Sequence, residues 1–211
     1  MITKVKICGI TNLKDAKCCV EAGADFLGFV FYKKSKRYLR PLSVKKIIEK
    51  LPKTVLKVGV FVNQTPAEVK KIAEICSLDL LQFHGDESPD YLKSFKACKT
   101  IKAFRLKERF SVTELKRYRQ TLFLFDTFKK EAFGGTGEAF DWDLLKPLKK
   151  MKTPFLVSGG LTPKNVGELI SHIQPFAVDV SSGVEKAPGK KDKKLIKNFI
   201  NAVKRGSWDG Y

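Results

Sequence analysis

Apolar residues fall along this chain in short blocks, separated by stretches with the three-to-four-residue spacing of an amphipathic helix. Val5-Lys6-Ile7-Cys8 reads as a strand, and Asn12 caps a helix running to about Ala22. Residues 25–31 form a buried strand, and 42–50 have helical spacing that stops before Pro52. Residues 56–62 are a third strand, after which Thr65-Pro66 opens a helix with threonine as cap and proline in its first turn. Residues 80–83 precede a helix from about Pro89, and 100–104 precede one starting near Ser111. Residues 122–125 lead through a glycine-rich loop to a helix near 141–149. Residues 155–157 are followed by a helix capped by Thr162 with Pro163 at its start. Residues 176–180 come last, before a helix over about 192–204. Residues 205–211 show no periodicity and read as a surface tail or an extra packing segment.

Eight strands, each followed by a helix, imply a parallel sheet covered on both faces. Eight such units in a short chain favour a closed α/β barrel, a (β/α)₈ TIM barrel formed as a single domain over residues 1–211. The open doubly wound sheet is the alternative. It usually has fewer strands, and no GxGxxG follows the first strand here.

Composition narrows the setting. With 43% hydrophobic residues the chain can bury a sizeable core. No apolar run approaches the roughly 18 residues that span a bilayer, so no membrane partner is expected. Met1-Ile2-Thr3-Lys4-Val5-Lys6 lacks the apolar core and cleavage site of a signal peptide. The five cysteines are odd in number and form no CxxC pair, so reduced thiols are expected rather than disulfides or zinc ligands. Together these features predict a cytoplasmic protein, either a monomer or a homodimer.

The net charge of +19 allows two meanings, a nucleic-acid surface or a solvated lysine coat. Basic residues run along the whole length rather than in one stripe, which favours the coat, and no specific nucleic-acid partner is expected. Either way a positive field helps to gather an anionic small-molecule substrate.

In barrels of this class the site lies at the C-terminal ends of the strands. That rule selects Cys8, Arg37, Asn63, His84, Lys102, Arg105, Asp126 and Asp179, together with the loops after strands seven and eight. Ser158-Gly159-Gly160-Leu161-Thr162 and Ser181-Ser182-Gly183 stand at those two positions. Glycines there let backbone amides approach an anion, so Gly159, Gly160, Ser181, Ser182 and Gly183 are candidate phosphate ligands, although two ordinary turns would look the same. Gly134-Gly135-Thr136-Gly137 is either a second anion cradle or a mobile lid, and its long polar approach favours the lid.

Cys8 ends a buried strand, where a lone cysteine is commonly a small hydrophobe. Its position at the mouth, followed by Gly9, also suits a base or nucleophile, provided that charge or hydrogen bonds lower its pKa. Cys18, Cys19, Cys76 and Cys98 fall away from the mouth and read as structural. Asp126 closes an apolar run, so partial desolvation should raise its pKa and let it donate a proton; a salt-bridged or capping aspartate is the alternative. Cys8 and Asp126 lie on strands one and six, across the mouth, as a base and an acid for a proton-transfer isomerisation would. His84 could orient a partner or bind substrate, and equally could be a satisfied structural histidine. Arg37, in Lys34-Ser35-Lys36-Arg37-Tyr38, could pair with a substrate carboxylate or belong to an exposed basic loop.

These residues carry a family resemblance. Lys6-Ile7-Cys8-Gly9-Ile10-Thr11, Gly28-Phe29-Val30-Phe31, Ser35-Lys36-Arg37-Tyr38 and Gly59-Val60-Phe61-Val62 resemble phosphoribosylanthranilate isomerases. So do Gln82-Phe83-His84-Gly85-Asp86-Glu87, Asp126-Thr127, Gly134-Gly135-Thr136-Gly137, Ser158-Gly159-Gly160-Leu161 and Asp179-Val180-Ser181-Ser182-Gly183-Val184-Glu185, with Pro188-Gly189-Lys190-Lys191-Asp192 behind them. The match covers nearly the whole chain in order. The resemblance implies an Amadori rearrangement of N-(5-phosphoribosyl)anthranilate to 1-(2-carboxyphenylamino)-1-deoxyribulose 5-phosphate, with no metal and no organic cofactor. It implies Asp126 as general acid, Cys8 as general base, and Arg37 on the anthranilate. Gly160, Ser182 and neighbouring backbone would hold the phosphate, with Asp179 and His84 in support. Phe83 and Phe125 stand where that family usually has smaller aliphatics, and Glu138-Ala139 replaces a basic or polar residue and a threonine; both changes bear on how the lid packs.

A sibling phosphosugar barrel is the competing enzyme. The histidine-pathway isomerase would show two aspartates at the strand ends rather than Cys8 with Asp126. An epimerase would need metal-binding histidines, and the chain has only His84 and His172.

Overall fold

The computed structural model describes residues 2–105, 115–118, 121–126, 145–148 and 153–207. Eight parallel strands close in chain order into a barrel: β1 (Lys4–Cys8), β2 (Phe26–Val30), β3 (Leu56–Phe61), β4 (Leu80–Phe83), β5 (Thr100–Arg105), β6 (Thr121–Asp126), β7 (Phe155–Ser158) and β8 (Ala177–Val180). Closure is made by β1, which pairs with β2 on one side and with β8 on the other. The expected barrel is therefore the observed one.

Alternation along each strand divides the apolar residues into two layers. Phe26, Val58, Leu80, Ile101, Leu124 and Leu156 fill the barrel interior. Their neighbours Leu27, Leu81, Phe83, Phe123, Phe125 and Val157 face outward and pack with the helices. Phe83 meets Tyr91 and Phe95 at centroid distances of 5.5 and 4.9 Å, and Phe125 meets Phe104 and Phe155 at 6.1 and 5.9 Å. These two enlarged rings thus fill the layer outside the sheet. The Gly134–Gly137 loop, with Glu138 and Ala139, lies outside the described residues.

The helices start where their caps demand. Asn12 accepts from the Asp15 amide and opens α1 (Leu13–Ala22), which Gly23 ends in the left-handed conformation. α2 spans Pro41–Ile48. Thr65 and Glu68 form a reciprocal capping box at the head of α3 (Pro66–Cys76). Asp192 accepts from the amides of Lys194 and Leu195 at the head of the last helix, α6 (Lys193–Gly206).

Three segments differ from the sequence reading. The helix at Pro89 is one turn, α4 (Pro89–Leu92), continued by a 3₁₀ turn at Lys93–Phe95. The helix expected from Thr162 begins later, as α5 (Val166–Ile173). The Asn165 side chain accepts from both the amide and the hydroxyl of Thr162, closing a turn that must end before a helix can start. A 3₁₀ turn (Ser182–Val184) and a small hairpin, β9 (Glu185–Ala187) with β10 (Lys190–Lys191), follow β8 unannounced by any apolar pattern. Most of the helix expected near Ser111 lies outside the described residues, with only Leu115 helical before a turn at 116–118, as does most of that near 141–149, where only a 3₁₀ turn at 145–148 is described. The tail beyond residue 207 is likewise outside them. No helix among the described residues is long and apolar enough to cross a membrane.

Candidate active site

The same alternation that fills the barrel places polar side chains at its C-terminal mouth. On β1, Val5 and Ile7 point outward, so Lys6 and Cys8 point in. On β6, Asp126 shares the inner face with Leu124. Asp179 of β8 reaches Lys6, whose Nζ donates to Asp179 Oδ1 at 2.9 Å with both side chains buried. Cys8 and Asp126 therefore stand on the inner face at the C-terminal ends of β1 and β6, and Asp179 meets Lys6 inside the barrel.

Cys8 is nearly buried, in contact with Val30 and Val60. Gly28, its register partner on β2, leaves the space the thiol occupies. Burial pushes the thiol above its ordinary pKa, and the charges of Lys6 and Lys191 oppose that shift without overcoming it, while Asp179 adds to it. The lowering that a base or nucleophile at this position requires is therefore not met: the surrounding apolar mouth outweighs the two ammonium groups. Burial also raises Cys18, carries Cys19 to about 12, and carries Cys76 to about 11. Cys98 is exposed on the approach to β5.

A buried latch surrounds Cys8. Lys191 Nζ donates to the carbonyls of Cys8 at 2.5 Å and Ser181 at 3.1 Å, and to Glu185 at 2.8 Å. Glu185 in turn accepts two bonds from Arg37, at 2.9 Å from Nε and 2.5 Å from Nη2. Burial would raise the Glu185 carboxyl, but these bonds hold it below its usual range. The hydrogen bonds that Arg37 donates to Glu185 likewise raise Arg37 against its own desolvation. Gly9 takes a positive φ of 77°, and a Cβ there would lie 2.4 Å from Arg37 Cδ. Arg37 therefore lies over the end of β1 as part of the mouth, rather than in an exposed loop.

Across the mouth, Gln82 Nε2 donates to His84 Nδ1 at 3.0 Å. In this orientation the ring proton sits on Nε2, 3.2 Å from Asp126 Oδ2. The Gln82 Oε1 atom is buried with no hydrogen-bond partner. Lys102 does not reach the mouth. It points outward to Glu87 at 2.8 Å and the Gly85 carbonyl at 2.6 Å, fixing the loop after β4. Asn63 tethers that loop too, accepting from the Asp86 amide.

The two candidate phosphate loops touch. A Cβ on Gly183 would lie 1.8 Å from the Leu161 carbonyl oxygen, so only glycine permits this approach. Gly159 and Gly160 both have positive φ, at 95° and 62°, and the face of Gly160 looks onto open space. The Ser181 hydroxyl is buried without a partner, and Ser182 begins the 3₁₀ turn beside it. The helix start that was expected to face an anion has moved to Val166, so backbone of the loops themselves lines this corner.

Lys6, Gly28, Gln82, Glu185 and Lys191 belong to the site but were given no role from sequence. A lysine and a glycine inside otherwise apolar strands were the available signals for two of them. Among the described residues, no cluster of three or more His, Cys, Asp or Glu side chains could hold a metal ion.

A family model described as N-(5'-phosphoribosyl)anthranilate (PRA) isomerase matches residues 5–202. The chain belongs to that family. A PRA isomerase of Geobacter sulfurreducens is 46% identical over 203 residues, covering 96% of this chain and 99% of the relative. The crystal structure of the Thermotoga maritima enzyme superposes with a TM-score of 0.87 at 44% identity, covering 96% of this chain and 99% of that one. A solved PRA isomerase in complex with reduced 1-(o-carboxyphenylamino)-1-deoxyribulose 5-phosphate gives 0.84 at 42% identity, with the same coverage. PRA isomerase activity, a step of tryptophan biosynthesis, is thus the function of this barrel. Its substrate is a small molecule.

Proposed function

We propose that Asp126 and Cys8 perform the Amadori rearrangement as an acid and a base on opposite sides of the barrel mouth. Asp126 gives a proton to the furanose ring oxygen as the C1–O bond breaks, leaving an iminium between C1 and the anthranilate nitrogen, which keeps its N–H. The Cys8 thiolate then takes the C2 proton, and the resulting enolamine becomes the ketone by tautomerisation. His84 Nε2–H steadies the Asp126 carboxylate left behind.

The observation that carries this reading is the shared inner face of Cys8 and Asp126 at strand C-termini, beside two abutting glycine loops. Gly159, Gly160, Ser181, Ser182 and Gly183 take the phosphate, and the unpartnered Ser181 hydroxyl supports a polar ligand there. Glu185 engages two of the five N–H donors of Arg37, leaving others for the anthranilate carboxylate. Asp179 serves the ribose hydroxyls. Free cysteines support a reducing, cytoplasmic setting.

The test is a coupled assay in which phosphoribosylanthranilate is made in place and its fluorescence is followed. Loss of fluorescence that depends on this protein supports the reading; an unchanged signal with active coupling enzymes refutes it.

A further inference from the structure

We propose that Lys6 is the positioning residue that turns Cys8 into a base, and that Asp179 withholds it until substrate engages Asp179. This rests on the reading of Cys8 as the base.

The barrel interior is otherwise filled largely by apolar side chains such as Val58, Leu80 and Leu124. On β1 an inward position is a lysine, wholly buried. A buried ion pair adds little stability over apolar residues of similar volume, so packing alone gives no reason for it. Lys6 stands two residues before Cys8 on the same strand face; its ammonium donates to Asp179, and its charge acts on the thiol. The register brings Lys6 and Asp179 side by side where β1 meets β8.

Each charged group that faces the thiol has its own engagement. From β10, Lys191 is held by two carbonyls and Glu185. From the loop after β2, Arg37 is held twice by Glu185. β2 contributes no charged group, only Gly28 and Val30. Lys6 is held by Asp179, the carboxylate that serves the ribose, and ribose hydroxyls are donors suited to that carboxylate. When Asp179 accepts such a hydroxyl, its grip on Lys6 slackens. The ammonium then turns its charge and N–H toward Sγ, and the thiol proton leaves to water at the mouth. The thiolate forms beside the C2–H it must remove, whereas in the empty barrel burial keeps the thiol protonated.

The experiment measures the pH dependence of Cys8 alkylation by iodoacetamide in the full chain, resolved by mass spectrometry from the other four cysteines. The midpoint is read rather than the rate, because access alters only the rate. Asp179→Asn is expected to lower the midpoint by about one pH unit, a tenfold gain in thiolate below it, and Lys6→Gln to raise it by a similar amount. Opposite shifts support the proposal. Shifts in one direction, or none, overturn it. Should Lys6→Gln fail to fold, Asp179→Asn decides alone, an unchanged or raised midpoint overturning the proposal. Turnover of Cys8→Ser reports separately on whether Cys8 is the base, so the two failures are distinguishable.

Discussion

The Sγ of Cys8 lies 2.8 Å from where a Cβ on Gly28 would stand, so the thiol occupies space that any other residue at position 28 would claim. Gly28→Ala is expected to displace the thiol and cut kcat at least ~10-fold, with a stability loss of about 1–3 kcal/mol from overpacking. Steady-state kinetics and urea melts check this. Full activity in a folded variant would show that the thiol tolerates displacement.

The contact between Gly183 and the Leu161 carbonyl ties the loops after β7 and β8 together. Gly183→Ala must push them apart, so KM is expected to rise roughly 10-fold with a smaller change in kcat, the pattern of lost ground-state binding. Inorganic phosphate should also protect the variant less than the parent against thermal unfolding. Equal protection would remove these loops from the phosphate site.

Glu185 holds both Arg37 and Lys191. Glu185→Ala leaves a buried ammonium without its carboxylate, and the expected cost is about 3–5 kcal/mol in urea unfolding, with weaker substrate binding. The folded-state carboxyl is depressed, so its contribution is present above the unfolded value near ~4.3 and is lost as pH falls through the lower folded value. A pH series of melts should therefore show the parent losing more stability than Glu185→Gln as pH drops below about 4. Parallel curves would contradict the depressed carboxyl.

Gln82 fixes the ring of His84, and His84 meets Asp126. Gln82→Leu removes the Nδ1 partner and is expected to lower kcat about 10-fold with KM little changed. A change confined to KM would move Gln82 from the chemistry to substrate binding.

The barrel was legible because parallel strands covered on both faces read as apolar blocks, and because Asn12, Thr65 and Asp192 mark helix starts by local hydrogen bonds. The late start of α5 was not legible, since Thr162 looks like a cap until Asn165 is seen to close the turn. The rule of strand ends selected Cys8, Asp126 and Asp179, and the first two stand on the inner face at the ends of β1 and β6. Glu185 and Lys191 were missed because their partners are distant in sequence: Glu185 lies 148 positions from Arg37, and the hairpin carrying Lys191 has no apolar pattern. Lys6 carries no signal of a role within its strand, and its partner appears only when β8 closes the barrel beside it.

The acid and base pair is tested most directly by turnover of Cys8→Ser and Asp126→Asn in the coupled fluorescence assay. Each variant is expected to fold and to lose at least ~10² in kcat, with KM changed only a few-fold. Near-normal kcat in either one would contradict the role given to that residue.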